Sequence, residues 1–413
     1  MNILVLTPLV PYPPHDGDKL RLFHFLQYLG KRGHKIDLFC LTRVKSDFQF
    51  LSELQALCRR VHLEHLNNPD LFFNLVGGLL FGQSLNVSSH FSPELRDALK
   101  AYWQTEEGKS IDVVLAHRLR MAPTAFEGNP GKPVVLELTD SLTAFTEQLR
   151  GQAGARSSRR MAARWDYWFL KREEVEWGEK AFQSVVISEA DAQVIREQGL
   201  PAEKITVIPN GVSLHLAGKT PWPAVFPEKT PVVSFVGNMG YAPNEEGAVW
   251  FLENIWPLVK QRVPEAVFAA VGGQPRERLR KLHNGADVLV TGWVPEIEPY
   301  VKHSTLTVAP LRIASGMQNK VALSMSLGVP VVATTSAISW LPAQGREYVL
   351  QADGADLFAT HVADTLLNPR KARAMAVRGK RFIVSRYRWN ESGRKLEEVL
   401  KKAVKAGKGK LSF

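Results

Sequence analysis

The sequence predicts an α/β protein built from two doubly wound domains. Three observations carry that expectation. The chain has 413 residues, too many for one core of ordinary size and suited to two domains of about 200 residues. Short β-branched runs recur along it, separated by stretches of helical period. That alternation also starts twice, on either side of a stretch broken by Pro209, Gly211, Gly218, Pro221, Pro223 and Pro227.

Taken in order, the first half places strands at Ile3–Leu6, Lys35–Leu41, Val113–Leu115, Val134–Leu138, Val185–Ile187 and Ile205–Ile208. The second half places them at Val232–Val236, Val267–Val271, Val288–Thr291, Leu306–Ala309 and Val331–Ala333. Apolar runs this short, alternating with amphipathic segments such as Leu20–Lys31 and Ala248–Val263, indicate parallel sheets covered by helices on both faces. The seam falls between Pro209 and Pro231. In open parallel sheets ligands sit beyond the carboxyl ends of the strands, so the loops after each strand hold the candidate site residues.

With 45% apolar and 23% charged residues the composition is globular. A net charge of +11 favours anionic partners: nucleic acid, an acidic membrane face or phosphorylated small molecules. Nucleic acid is not expected, because neither zinc-finger spacing nor an aromatic RNA-binding strand motif is present. Cys40 and Cys58 offer no disulfide framework, which suits a reducing cytoplasm. The opening MNILVLTPLVPYPP lacks a basic leader and breaks at Pro8, so it reads as a strand. No apolar run approaches the length that spans a bilayer. Two neighbouring features do suggest peripheral contact with an anionic membrane. One is the apolar run Leu71–Phe81, where Gly77 and Gly78 are expected to interrupt a helix. The other is Arg150–Arg172, where basic residues mix with Trp165, Tyr167, Trp168 and Phe169. The same residues equally suit a core helix and a solvated face. The basic tail Lys401–Lys410 is expected to fray.

The loop after the first strand runs from Pro11 to Lys19. Gly17 there lets backbone amides approach a phosphate near a helix N-terminus. Asp16 and Asp18 form an acidic pair better suited to capping or positioning than to metal binding. His117 follows the strand Val113–Ala116 and Asp140 the strand after it; both are catalytic candidates, placed to meet a ligand hydroxyl. His62 and His65 lie in an apparent strand region and do not suggest a metal. The run Arg312–Gly328 opens a helix with Ser315-Gly316. Its N-terminal amides and Lys320 would supply positive potential for a diphosphate. The chain contains neither a Walker A pattern nor a GxGxxG. No metal and no separate cofactor is expected.

Read together, these segments resemble the GT-B glycosyltransferases of family 4 over nearly the whole chain. The matching pieces are the Gly17 loop, Pro209-Asn210-Gly211-Val212, Phe235-Val236-Gly237 and Gly292-Trp293-Val294. They continue with the Lys320 helix start, Gly328-Val329-Pro330-Val331-Val332 and Tyr387-Arg388-Trp389. Pro310-Leu311-Arg312 and Gln318-Asn319-Lys320 look like a subgroup tied to bacterial exopolysaccharide synthesis. The resemblance implies two Rossmann-like domains facing a central cleft. Residues 1–212 would take the acceptor, 213–385 the donor, and 386–413 would be a helix packing back toward the first domain with a basic tail. It implies a nucleotide-sugar donor, a polysaccharide or lipid-linked acceptor, and retaining, metal-independent transfer; the cysteines and the apolar and basic runs place that work in the cytoplasm or at the inner membrane face. Gly17, Asn238, Arg312, Gly316 and Lys320 would lie on the donor, with Trp293 and Val294 against its base. Two departures stand out. The positions of the family's two glutamates hold Gly316 and Leu323, and the stretch after Val236, Asn238 to Pro243, lacks the family's Arg and Lys. A lost ribose carboxylate costs a charge-assisted hydrogen bond of about 1.5–3 kcal/mol. The alternative is therefore a catalytically silent protein acting as a binding or assembly partner.

Overall fold

Strands buried on both faces need continuous apolar runs; the eleven expected runs all become strands, and two more, Arg60–His65 and Leu350–Gln351, bring the number among the described residues to thirteen. The computed structural model describes residues 1–15, 17–151, 158–212 and 222–410, without the side chains of 158–160, 409 and 410. Asp16 and Arg156 lie outside the described residues. The chain divides into two compact units, Met1–Pro209 with Trp389–Phe413, and Asn210–Arg388.

The first unit holds β1 (Asn2–Thr7), β2 (Lys35–Thr42), β3 (Arg60–His65), β4 (Val113–His117), β5 (Val134–Thr139), β6 (Gln183–Val186) and β7 (Ile205–Val207). Its sheet is parallel in the order β3-β2-β1-β4-β5-β6-β7. Successive strand residues face opposite sides, and this splits the core in two. Ile3 and Val5 pack with Leu22, Phe25 and Leu26 of α1 (Gly17–Lys31). Leu4 and Leu6 pack on the other side with Leu95, Leu99 and Tyr102.

The second unit holds β8 (Val232–Val236), β9 (Val267–Val271), β10 (Val288–Val290), β11 (Leu306–Ala309), β12 (Val331–Ala333) and β13 (Leu350–Gln351). They too are parallel, in the order β10-β9-β8-β11-β12-β13. In each unit the strand order reverses about one strand pair, β1 beside β4 and β8 beside β11. Such switch points are where doubly wound sheets leave a crevice for ligands.

The structure corrects three expectations. The run Leu71–Phe81 forms an unbroken helix, α2 (Asn68–Leu80), opened by a capping box between Asn67 and Asp70. Its glycines do not interrupt it: Gly78 is where the helix approaches Ser88 so closely that a Cβ would collide with that side chain. The basic tail is ordered as the end of α7 (Trp389–Lys410), because Leu396, Val399, Leu400 and Ala403 bury against the first sheet. The helix expected over Ala248–Val263 begins earlier, as α5 (Ala242–Trp250), then widens to a π-turn at Phe251–Ile255 before Trp256–Arg262. Pro257 has no N–H to continue the α ladder, which accounts for the widening. The helices used below also include α3 (Leu142–Gly151), α4 (Ser158–Lys180) and α6 (Asn319–Leu327).

Candidate functional site

In the first unit, the carboxyl ends of β1, β4 and β5 converge on a buried charge network. His117, the last residue of β4, is fully buried, and its Nδ1 lies 2.5 Å from Glu137 Oε2. Arg21 of α1 reaches the other oxygen, Nε to Oε1 at 2.8 Å, and donates through Nη1 to the Ile208 carbonyl. The Thr139 amide and hydroxyl also donate to Glu137. Burial works against the Glu137 charge, yet Arg21 and His117 hold its carboxyl well below the usual range. With Nδ1 committed, His117 Nε2 has no hydrogen-bond partner among the described residues.

Arg118 ties the strand ends together. Its guanidinium pairs with both Asp18, in the first turn of α1, and Asp140, just after β5. Asp18 is thus an ion-pair partner inside the helix, which starts at Gly17. Burial would raise the Asp18 carboxyl, but Arg118 more than offsets this and holds it below its ordinary value. Arg120 donates to Asn86 Oδ1 at 2.6 Å and is pulled down to about 10 by burial and by Arg118. Four described non-glycine residues have positive φ; Arg118 at 70° directly follows β4 and Thr139 at 68° ends β5, while Gln274 at 56° lies in the loop after β9. Such conformations cost on the order of 1–3 kcal/mol each and concentrate where geometry is functionally constrained. Gly17, His117 and Asp140 are therefore brought to one place, through Asp18 and Arg118.

In the second unit the centre is Lys320, in the first turn of α6. Its Nζ donates to Asn244 Oδ1 at 2.9 Å, and the Asn244 amide donates to the Asn238 carbonyl at 2.8 Å. The Asn238 side chain accepts from the Gly240 amide and so shapes the turn after β8. The Lys320 stem runs beside Gly237, whose φ of 151° suits only glycine. Desolvation pulls the Lys320 ammonium down to about 8, so it remains charged at neutral pH. The loop before α6 turns at Gly316 with φ 60°, a left-handed conformation in which a glutamate would be strained.

The remaining predicted residues spread around this centre. Trp293 is 65% exposed and lies against Gly273. Val294 and Leu323 are both partly buried and pack on one apolar cluster with Val236, Val271 and Leu327. Arg312 is exposed. Among the described residues, no group of three or more His, Cys, Asp or Glu could hold a metal ion. Sequence reasoning missed Arg118, Glu137, Arg21 and Asn244. A charge inside the apolar run Val134-Val135-Leu136-Glu137-Leu138 was the signal for Glu137; Arg21 and Asn244 sit in ordinary amphipathic helices and gave none.

Two family models match the chain: Glycosyltransferase Family 4 over residues 20–216, and Glycosyl transferases group 1 over residues 230–368. Over 159 residues the chain is 30% identical to the GDP-mannose-dependent alpha-(1-6)-phosphatidylinositol monomannoside mannosyltransferase of Mycolicibacterium smegmatis, a stretch covering 35% of this chain and 42% of that protein. The enzyme of the same description from Mycobacterium tuberculosis is 29% identical over 160 residues, with the same coverage. The match thus spans less than half the length of these relatives. Among solved structures, sucrose-phosphate synthase from Thermosynechococcus elongatus superposes with a TM-score of 0.74 at 16% identity, covering 98% of this chain and all of that one. Anabaena HepE in complex with UDP gives 0.67 at 15% identity, covering 97% of this chain and all of that one. At such identities the likeness is one of fold.

Proposed function

The chain belongs to the group 1, family 4 glycosyltransferases, and from that membership we propose that it moves a sugar from a nucleotide-sugar donor to a polysaccharide or lipid-linked acceptor. One observation carries the reading: a desolvated ammonium, Lys320, held by Asn244 at the switch point of the second sheet and in the first turn of α6. A partly buried cation whose partners among the described residues, Asn244 and Gln318, are neutral is poised for an anion. A departing nucleoside diphosphate supplies one, and the helix N-terminus adds to the field. Catalysis on this reading rests on positioning and on stabilising the leaving charge, without a divalent metal and with retention at the anomeric carbon.

The mycobacterial relatives are named for GDP-mannose and a phosphatidylinositol monomannoside acceptor, and HepE was solved with UDP. They support a nucleoside-diphosphate sugar as donor and favour a lipid-linked acceptor. In the first unit His117 Nε2 would meet a sugar hydroxyl, with Glu137 fixing the ring and Arg118 holding Asp18 and Asp140 around it. A silent binding protein is the second reading, favoured by Leu323 packing in an apolar cluster where the family has a ribose carboxylate. A nucleotide-release screen across UDP- and GDP-sugars, run with and without lipid-linked acceptors, separates the two. Release above the background with one donor, lost in Lys320→Ala, supports transfer. No release and no binding of any nucleotide supports the silent protein.

A further inference from the structure

The face of α2 turned away from the first sheet is apolar and uncovered. Phe72, Phe73, Val76, Leu79, Leu80 and Phe81 are exposed, Phe81 by 78% and Leu80 by 76%. No charged residue occurs from Leu71 to Gly82. The opposite face accounts for the helix's attachment: Asn74 donates to the Phe91 carbonyl at 2.7 Å, and Gly78 packs on Ser88. Water-facing phenylalanines on this scale exceed the scattered apolar residues of an ordinary surface.

The C-terminal end of α2 lies on α4. Arg172 donates to the Gly82 carbonyl at 2.9 Å, Trp165 Nε1 to the Gln83 carbonyl at 3.1 Å, and the Phe169 ring abuts Gly82. On α4 the exposed residues Met161, Arg164, Trp168 and Arg172 recur at helical spacing, so they form one stripe. The acids between Met161 and Glu173 turn inward, Asp166 accepting from the Leu85 amide and Glu173 from the Ser84 amide; the exposed acids of α4, Glu176 and Glu179, lie at least one turn beyond Arg172, and Glu176 pairs with Lys180. The outcome is a charge-free apolar helix face bordered by cations and by an exposed indole.

We infer that this surface of the first unit, the α2 face with the α4 stripe beside it, docks on an anionic phospholipid bilayer. A helix of 13 residues is about 20 Å long and too short to cross a bilayer. No helix among the described residues is long and apolar enough to do so. Lying in the plane of the interface, α2 places its phenylalanines among acyl chains, while Arg164, Lys171 and Arg172 meet phosphates and Trp168 sits at headgroup depth. Charge selects this occupant over a second copy of the chain. A two-fold partner presents the same patch, and its cationic border would meet cations rather than the acids that would stabilise it. The inference deepens the proposed function, since a lipid-linked acceptor is met at such a surface.

Co-sedimentation with vesicles tests it on the full chain without nucleotide. The vesicles are phosphatidylcholine alone, or phosphatidylcholine with about a third replaced by phosphatidylglycerol. Binding is expected to rise with the anionic lipid and to weaken with salt. Two variants change only exposed or part-exposed side chains: Phe72→Ser with Phe73→Ser and Leu80→Ser, and Arg164→Glu with Lys171→Glu. Each is expected to weaken vesicle binding at least about tenfold while leaving nucleotide affinity in vesicle-free buffer unchanged. Equal recovery in the supernatant with both vesicle types overturns the inference, as do variants that pellet like the parent. Sedimentation velocity showing a dimer that the apolar variant dissociates, with vesicle binding unaffected, also overturns it and assigns the face to a second copy. Nucleotide affinity is read separately, so loss of docking and loss of donor binding are distinguishable.

Discussion

Lys320 and Leu323 are one helical turn apart, and the donor reading makes opposite demands on them. The ammonium of Lys320 is already in place, bonded to Asn244. Leu323 stands where a ribose carboxylate is implied, and it packs partly buried on the cluster that also holds Val294. A glutamate at 323 can keep its carboxylate at the open side of that cluster and accept two hydroxyl hydrogen bonds. Leu323→Glu is therefore predicted to tighten binding of the nucleoside diphosphate by about 1.5–3 kcal/mol, read by calorimetry. A lower melting temperature with unchanged affinity would instead mark Leu323 as a core residue. At Gly316 the corresponding repair is not expected to work, because its left-handed backbone disfavours any side chain.

At the scale of elements, α4 carries two inward carboxylates whose titration is readable. Glu174 Oε1 accepts from the Leu142 amide at 2.7 Å and Oε2 from the Ser141 hydroxyl at 3.0 Å, so it caps the start of α3 from a neighbouring helix. Burial outweighs these bonds and pushes Glu174 up to about 7. A carboxyl raised in the folded state favours folding most below its unfolded value, and that contribution is lost as pH rises through the folded value. The loss therefore falls between about pH 4.5 and 7 and amounts to about 3 kcal/mol. Glu174→Gln removes the titration, so its melting temperature should gain on the parent between pH 5 and pH 8. A constant difference across that range would contradict the assignment. Most strands are legible in the sequence because burial on both faces writes them as apolar runs. β3, half-buried and carrying Arg60, His62, Glu64 and His65, showed only as an apparent strand region; β13 escaped, being two residues long; and the ion pairs escaped because their members meet only when distant segments fold together. Arg118 and Asp18 lie a hundred positions apart in sequence. The exposure of α2 was equally invisible, since a buried and a membrane-facing apolar helix read alike.

For the whole molecule, the two units divide the proposed work: the first offers the His117 and Arg118 network and the α2 face, the second the Lys320 seat. The net charge of +11 suits both proposed partners, an anionic donor and an anionic lipid surface. The two family models match separate parts of the chain, residues 20–216 and 230–368. The silent-protein reading shares all of this except the nucleotide. Isothermal titration of UDP and GDP into the full chain and into Lys320→Ala therefore separates the two readings at the Lys320 seat. One of the two nucleotides is expected to bind the parent, and Lys320→Ala to weaken that binding by roughly tenfold or more while the melting temperature stays near that of the parent. No heat from either nucleotide, or equal affinity in parent and variant, would contradict the donor reading.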